Sequence, residues 1–204
     1  MKETKEKLLQ TAIELFAKHG INGVSTRMLA KESGVNLSSI NYYFGGKQKL
    51  YDAVLESIIE KISAFIASKR APLLETQLPP NEEFKVFIGN LIDFLCSNAI
   101  SNAQAEIVIK EIIQPSGVYN QLYAQVIEPM HKRLTTLVMQ TTTLTEQEAI
   151  IQVHCLMGQA VNFKIHKHAL LRRLNLSDYT PQLICQIKAQ VFKNCDILLM
   201  GGQK

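Results

Sequence analysis

The chain contains no tryptophan, only four cysteines and only six prolines, and each scarcity narrows what it can be. None of the cysteines (Cys96, Cys155, Cys185 and Cys195) forms a CxxC pair, so a zinc knuckle or a thioredoxin-type site is not expected. All four lie in helix-like apolar stretches and read as reduced thiols buried in a core. No apolar run approaches the ~20 residues needed to cross a bilayer. The charged start, residues 1–7, leads into an amphipathic pattern without an apolar signal core, and a cytoplasmic protein is expected. Runs of alternating β-branched residues are missing too, as are hairpin turns, which leaves an all-α fold. The nucleophile elbow, the phosphate-cradling glycine loop and the HExxH pair are absent, so no enzyme is expected. A histidine-bound metal is not expected either. His154 and His166 would stand roughly 18 Å apart along one helix, and His166 and His168 about 200° apart around it. No cofactor is implied.

What is present is unevenly distributed. Residues 1–50 hold eight Lys/Arg against four acids, a surplus equal to the +4 of the whole chain. The remaining residues balance. A surplus confined to the first quarter suits a module that binds a polyanion.

Helical periodicity runs throughout. Leu8, Leu9, Ala12, Ile13, Leu15 and Phe16 make one apolar stripe on a first helix over 4–19, with Gly20 as its left-handed cap. Ser25 caps a second helix that ends near Ser33, and Gly34 permits the turn. Asn36 stands where a cap is needed for a short third helix, 37–44, closed by Gly45 and Gly46. A fourth helix is expected over 47–69, with Leu50, Val54, Ile58 and Ile62 on one face. A proline-containing boundary over 71–80 follows, then helices capped by Asn81 (to 98) and spanning 101–114. A seventh, over 118–141, should bend or split at Pro129, which lacks a donor and crowds the preceding turn. Thr145 and Glu148 form a capping-box pattern opening a long eighth helix to 174. Thr180-Pro181 starts a ninth that ends before Gly201.

Helix, tight turn and short helix over 25–44 form the segment that carries function. Ile40 and Phe44, at i and i+4, should bury against the first helix. Ser38, Ser39, Asn41, Tyr42 and Tyr43 are left on the other side, a surface suited to a polynucleotide. Hydroxyls and helix N-terminal donors bind phosphates, and an amide can pair with a base edge.

The stretch GVNLSSINYYFGGKQKL, together with Leu8, Ala12, Leu15, Phe16, Gly20, Thr26, Leu29 and Ala30, closely resembles the DNA-binding domain of the tetracycline-repressor (TetR) family. The resemblance implies a homodimer whose two recognition helices enter successive major grooves of a near-palindromic operator. It assigns phosphate contacts to Thr26, Tyr42 and Lys47, a groove-edge contact to Arg27, and bases or adjacent backbone to Ser38, Ser39, Asn41 and Tyr43. Position 41, often tyrosine in that family, is asparagine here, which bears on the bases read. The expected organisation is a helix-turn-helix domain over 1–50 and a ligand-binding and dimerisation domain over 51–204, about nine helices in all.

The segment EIIQPSGVYNQLYAQVIEPMHKRL resembles a C-terminal domain of one branch of the family. That CecR-like branch contains an enterobacterial regulator linked to cephalosporin and chloramphenicol sensitivity, hinting at control of an efflux or transport operon. By position in the family, the last two helices imply a four-helix dimer seam carrying Leu156, Ala160, Phe163, Ile184, Ile187, Val191, Leu198 and Leu199. A small-molecule effector pocket would draw on Phe84, Phe87, Leu91, Leu95, Ile109, Ile113, Tyr119, Tyr123, Met130, Met157 and Phe163. His166, Glu106, Glu111 and Asn162 could supply polarity. The rival expectation is a DNA-bound factor that recruits a protein and holds no small molecule.

Overall fold

The computed structural model describes residues 2–70 and 77–201. Among them every regular element is helical. The order is α1 (Lys2–Gly23), α2 (Thr26–Ser33), α3 (Leu37–Phe44), α4 (Lys47–Arg70), α5 (Pro80–Cys96), α6 (Asn102–Ile113) and α7 (Tyr119–Leu122). A π turn (Tyr123–Ile127) then precedes α8 (Glu128–Thr141), α9 (Glu146–Ile165), α10 (Lys167–Leu174) and α11 (Pro181–Gly201). The boundary expected over 71–80 lies partly outside the described residues.

The chain divides into two compact units, Met1–Ala64 with Ile100–Val126, and Phe65–Ala99 with Ile127–Lys204. In the first, Leu8, Ala12 and Phe16 of α1 meet Leu29 of α2, Ile40 of α3, and Leu50 and Val54 of α4 in a solvent-free core. The α6 helix packs along α1, and the Lys110 ammonium donates to the Ala17 carbonyl. Tyr51 sets its ring edge-on to Phe16 (5.1 Å between centroids) and donates its hydroxyl to Glu111 Oε1 (2.5 Å). Glu111 Oε2 accepts from the backbone N–H (3.1 Å) and hydroxyl (2.8 Å) of Ser116. This buried carboxylate ties the end of α6 to α4. Burial, followed by the hydrogen bond to Glu111, holds the Tyr51 phenol well above its ordinary range.

In the second unit α5, α8, α9 and α11 enclose a core of Phe84, Ile88, Ile92, Leu137, Val138, Val153, Ala160 and Cys195. Gly89 lets α11 come close, because a Cβ there would stand 3.1 Å from the Phe192 ring. Lys188 bridges to Asp93 (2.6 Å) and Arg133 to Glu83 (2.6 Å).

Several boundaries differ from the sequence expectation, each with an identifiable cause. Gly20 has positive φ (66°), but its ψ of 168° is extended rather than left-handed helical, and a last turn continues to Gly23. The α5 helix begins at Pro80 rather than behind an Asn81 cap, because the fixed φ of proline suits the first helical position. Its end comes at Cys96, where Ser97 turns its hydroxyl back onto the Phe94 carbonyl. Pro129 does split the seventh helix. Its missing N–H would have served the carbonyl of Gln125, and a π turn takes up the mismatch. The long helix after Thr145 breaks at His166 (φ −102°, ψ 23°) although no proline or glycine is nearby. There the Tyr179 hydroxyl donates to the Phe163 carbonyl, which an unbroken helix would offer to the N–H of Lys167.

Candidate nucleic-acid interface

The reading motif is assembled from local signals. The Ser25 hydroxyl accepts from Met28 N–H (3.1 Å) and starts α2. The α2 helix ends on Gly34 (φ 65°, ψ 27°), with the Gly34 N–H on Lys31 O (3.2 Å) and the Val35 N–H on Ala30 O (3.1 Å). This is the left-handed C-terminal turn that glycine favours. Asn36 occupies the N-cap of α3 with extended backbone, but its side chain makes no cap hydrogen bond. Gly45 (φ 74°) closes α3 and donates to Asn41 O (2.9 Å).

Two faces of α3 are therefore distinct. Ile40 is fully buried against the first unit's core, a contact that contributes roughly 1.5–3 kcal/mol. Phe44 is only half-buried, and the Lys5 ammonium stands 5.5 Å from its ring centre. On the opposite side Ser38, Asn41 and Tyr42 are exposed, Tyr42 at 73%. Ser39 and Tyr43 are half-buried. The Tyr42 and Tyr43 rings meet edge-to-face at 5.0 Å, which restricts both phenols. At the start of α2, Thr26 is half-buried and Arg27 exposed. The capping hydroxyl occupies Met28 N–H, so the free donors of Thr26 and Arg27 lie at the positive end of the helix.

Lys47 is differently engaged from its sequence assignment. Its half-buried ammonium donates to the carbonyls of Ile21 (2.8 Å) and Val24 (2.9 Å), clamping the start of α4 to the α1–α2 link. The carbonyls carry no sequence signal, so only the fold reveals this role.

The residues suggested for a pocket are divided between the two units. Phe84 and Met157 are buried in the second unit's core, and Phe87, Leu91, Leu95, Met130 and Phe163 pack partly buried against it. Ile109, Ile113, Tyr119 and Tyr123 belong to the first unit, where Ile113 is 70% exposed and Tyr119 stacks loosely on Tyr123 (6.1 Å). Glu111 is spent on Tyr51 and Ser116, and Glu106 is exposed. His166 is exposed at the helix break, its Nδ1 2.6 Å from Asn162 Oδ1.

The suggested seam residues differ in exposure. Leu156, Ala160, Ile187, Val191 and Leu199 are buried within this one chain, so they have almost no surface left to offer a second. Phe163, Ile184 and Leu198 are half-buried. The open apolar surface on the same helices is instead Ile150, Ile151, Ile197 (71% exposed) and Met200. Between α9 and α11 lies an uncharged groove of 310 Å³ floored by Leu156 and Leu198 and rimmed by Cys155, Gln159, Asn194 and Ile197.

Only Cys96 and Cys195 are core thiols, each pushed up to about 11 by burial; Cys155 and Cys185 are exposed, contrary to the sequence expectation. Sequence reasoning also overlooked His131 of α8, whose ring stacks on that of His154 at 5.7 Å. Burial and that neighbour lower its pKa. Among the described residues no three or more His, Cys, Asp or Glu side chains gather as a metal site would require. No helix among the described residues is long and apolar enough to cross a membrane.

Comparison with known proteins agrees with this geometry. Residues 8–54 match the family described as bacterial regulatory proteins, tetR family. Residues 80–202 match the C-terminal domain of the HTH-type transcriptional dual regulator CecR. The CecR regulator of Shigella flexneri is 27% identical over 98% of this chain and 92% of its own length. A transcriptional regulator of Rhodococcus has the same fold at a TM-score of 0.64 and 15% identity, with 98% of both chains covered. A regulator from Saccharomonospora viridis solved in complex with choline aligns at 0.61 and 15% identity, over 97% of this chain and 96% of its own. The chain thus belongs to the tetR family of bacterial regulatory proteins, with a C-terminal domain of the CecR type, and it is a DNA-binding transcription regulator and not an enzyme.

Proposed function

We propose that the protein is a ligand-responsive repressor that binds a near-palindromic operator as a homodimer. The observation that carries this reading is α3 itself, which turns Ser38, Asn41 and Tyr42 to solvent while Ile40 anchors the helix from behind. In the proposed complex Asn41 and Ser38 meet base edges in the major groove, with Ser39 and Tyr43 beside them. Tyr42, Thr26, Arg27 and the free N–H donors of α2 hold phosphates. Lys47 has one proton left for a phosphate after its two carbonyl bonds.

A second copy covers the α9–α11 groove, with Ile151, Ile197 and Met200 in the seam. Their exposure on the helices that form the groove, with Ile197 in its uncharged lining, supports this, since monomers rarely leave large apolar patches uncovered. A small-molecule effector bound in the second unit shifts the dimer toward a state whose two reading helices no longer fit successive grooves. A coupling of about 1–3 kcal/mol is enough to change operator affinity 5- to 150-fold. The ligand-bound fold relative supports an effector; control of an efflux or transport operon is what the resemblance of the C-terminal segment to the CecR-like branch implies.

Burial of Phe84 and Met157 in a packed core favours the second reading, a DNA-bound factor that recruits a protein. Selecting bound sequences from a random duplex pool with the pure protein tests the main proposal. A recovered inverted repeat supports it; recovery of unrelated sequences refutes it.

A further inference from the structure

Three lysines that the family resemblance leaves unassigned gather at the two ends of α3. At its start, a Cβ built on Gly34 would stand 3.4 Å from the Lys7 ammonium, so α1 brings this cation to the α2–α3 turn. The N–H donors of Leu37 and Ser38 at the same end are unspent among the described residues, because the Asn36 side chain makes no cap bond. At its finish, the Lys5 ammonium stands 5.5 Å from the centre of the Phe44 ring. A Cβ on Gly45 would meet Lys49 Cδ at 3.1 Å and its ammonium at 3.6 Å, so the bare glycine lets that stem lie along the turn closing α3. All three lysines are exposed, and among the described residues none has a hydrogen bond or ion pair. The neighbouring acids Glu3 and Glu6 are exposed too and pair with none of them. By contrast Lys47, Lys61 and Lys110 of the same unit each donate to a protein oxygen.

We propose that Lys5, Lys7 and Lys49 each bind a phosphate of the operator backbone, so that α1 and α4 hold DNA at both ends of the reading helix. The eight residues of α3 make a helix about 12 Å long, about the width of the major groove. Seated there, it brings both ends close to the phosphate rows that wall the groove. The three ammoniums come from two helices, so the fold and not a basic run collects them, and a polyanion offsets their mutual repulsion. Lysine acts as a point charge, so these contacts set the position of α3 and carry no sequence information. The inference rests on the reading of α3 as the helix that enters the groove and adds contacts from outside the helix-turn-helix itself.

The affinity of the full chain for a selected duplex and for its shuffled counterpart, followed over a salt series, tests this. Lys5→Gln, Lys7→Gln and Lys49→Gln should each lower the salt slope by about one per bound chain and leave the ratio between the two duplexes unchanged. Lys18→Gln should leave the slope as it is, since this equally exposed lysine lies eleven residues beyond Lys7, about 17 Å further along α1. A second readout is independent of any variant's folding. Saturating random-sequence duplex at low salt should slow acetylation of the unsubstituted protein by acetic anhydride at Lys5, Lys7 and Lys49, but not at Lys18. Slopes equal to that of Lys18→Gln, or acetylation that the duplex does not slow, overturn the site; if the selected duplex is still preferred, the reading of α3 stands without it. A change in the ratio between duplexes on losing any of the three also overturns it, because that lysine would then read bases. If the unsubstituted protein binds both duplexes equally while the three slopes fall as stated, the phosphate contacts stand and α3 is not the reader.

Discussion

Replacing Lys47 by methionine separates two roles that a helix-start lysine can play in a DNA reader. Its ammonium makes two charge-assisted bonds, to the carbonyls of Ile21 and Val24. Such bonds contribute roughly 1.5–3 kcal/mol each. Val24 is buried, so its carbonyl would find water less readily than that of half-buried Ile21. Methionine keeps the aliphatic stem and its packing, so the loss isolates the bonds. Allowing for water at the more open carbonyl, we expect Lys47→Met to cost about 2–4 kcal/mol. The assay is urea unfolding followed by circular dichroism, with the slope held as a check that the unfolded state is unchanged. Operator affinity measured over a salt series then reports the second role: a phosphate contact by the remaining proton would lower the salt slope by about one. An unfolding midpoint equal to that of the unsubstituted protein would refute the clamp.

Other perturbations follow from the same geometry. Asn41→Ala should change which base is preferred in each half-site, as read by repeating the selection; equal losses on operator and random duplex would show that Asn41 reads nothing. Tyr51 has its pKa raised by burial and by Glu111, so the protonated phenol is favoured in the folded state. Its contribution is fully present below the ordinary value of 10.0 and is lost as pH rises beyond it toward the folded-state value. Stability of the unsubstituted protein should thus fall above pH ~10 more steeply than that of Tyr51→Phe; parallel curves would contradict this. Thiol labelling tests the seam. Cys155 rims the groove, whereas Cys185 stands nine residues before Asn194 and so on about the opposite side of α11. In the dimer Cys185 should label quickly and Cys155 slowly; equal rates at high protein concentration would remove the seam from the groove.

The legible parts of the fold were those with local causes. Ser25, Gly34 and Gly45 delimit α2 and α3 because a cap or a positive φ acts on its own neighbours, and Thr145 and Pro181 start helices for the same reason. The break at His166 was not legible, because the hydroxyl responsible lies sixteen residues away at Tyr179. Lys47 and Glu111 likewise take partners 23 to 26 and 60 residues distant. Periodicity identified apolar faces on α9 and α11 but could not say whether their partner was this chain. Leu156 and Val191 turned out to face inward, and Ile151 and Ile197 outward. On α3 the two faces were legible because eight residues contain a single fully buried anchor, Ile40, amid hydroxyls, an amide and phenols.

The most direct measurement is fluorescence anisotropy of one selected duplex and its shuffled counterpart at a single fixed salt concentration near physiological. We expect the selected duplex to bind at least about a thousandfold more tightly, with two chains per duplex. Equal affinity for both sequences would mean that the outward face of α3 does not read DNA.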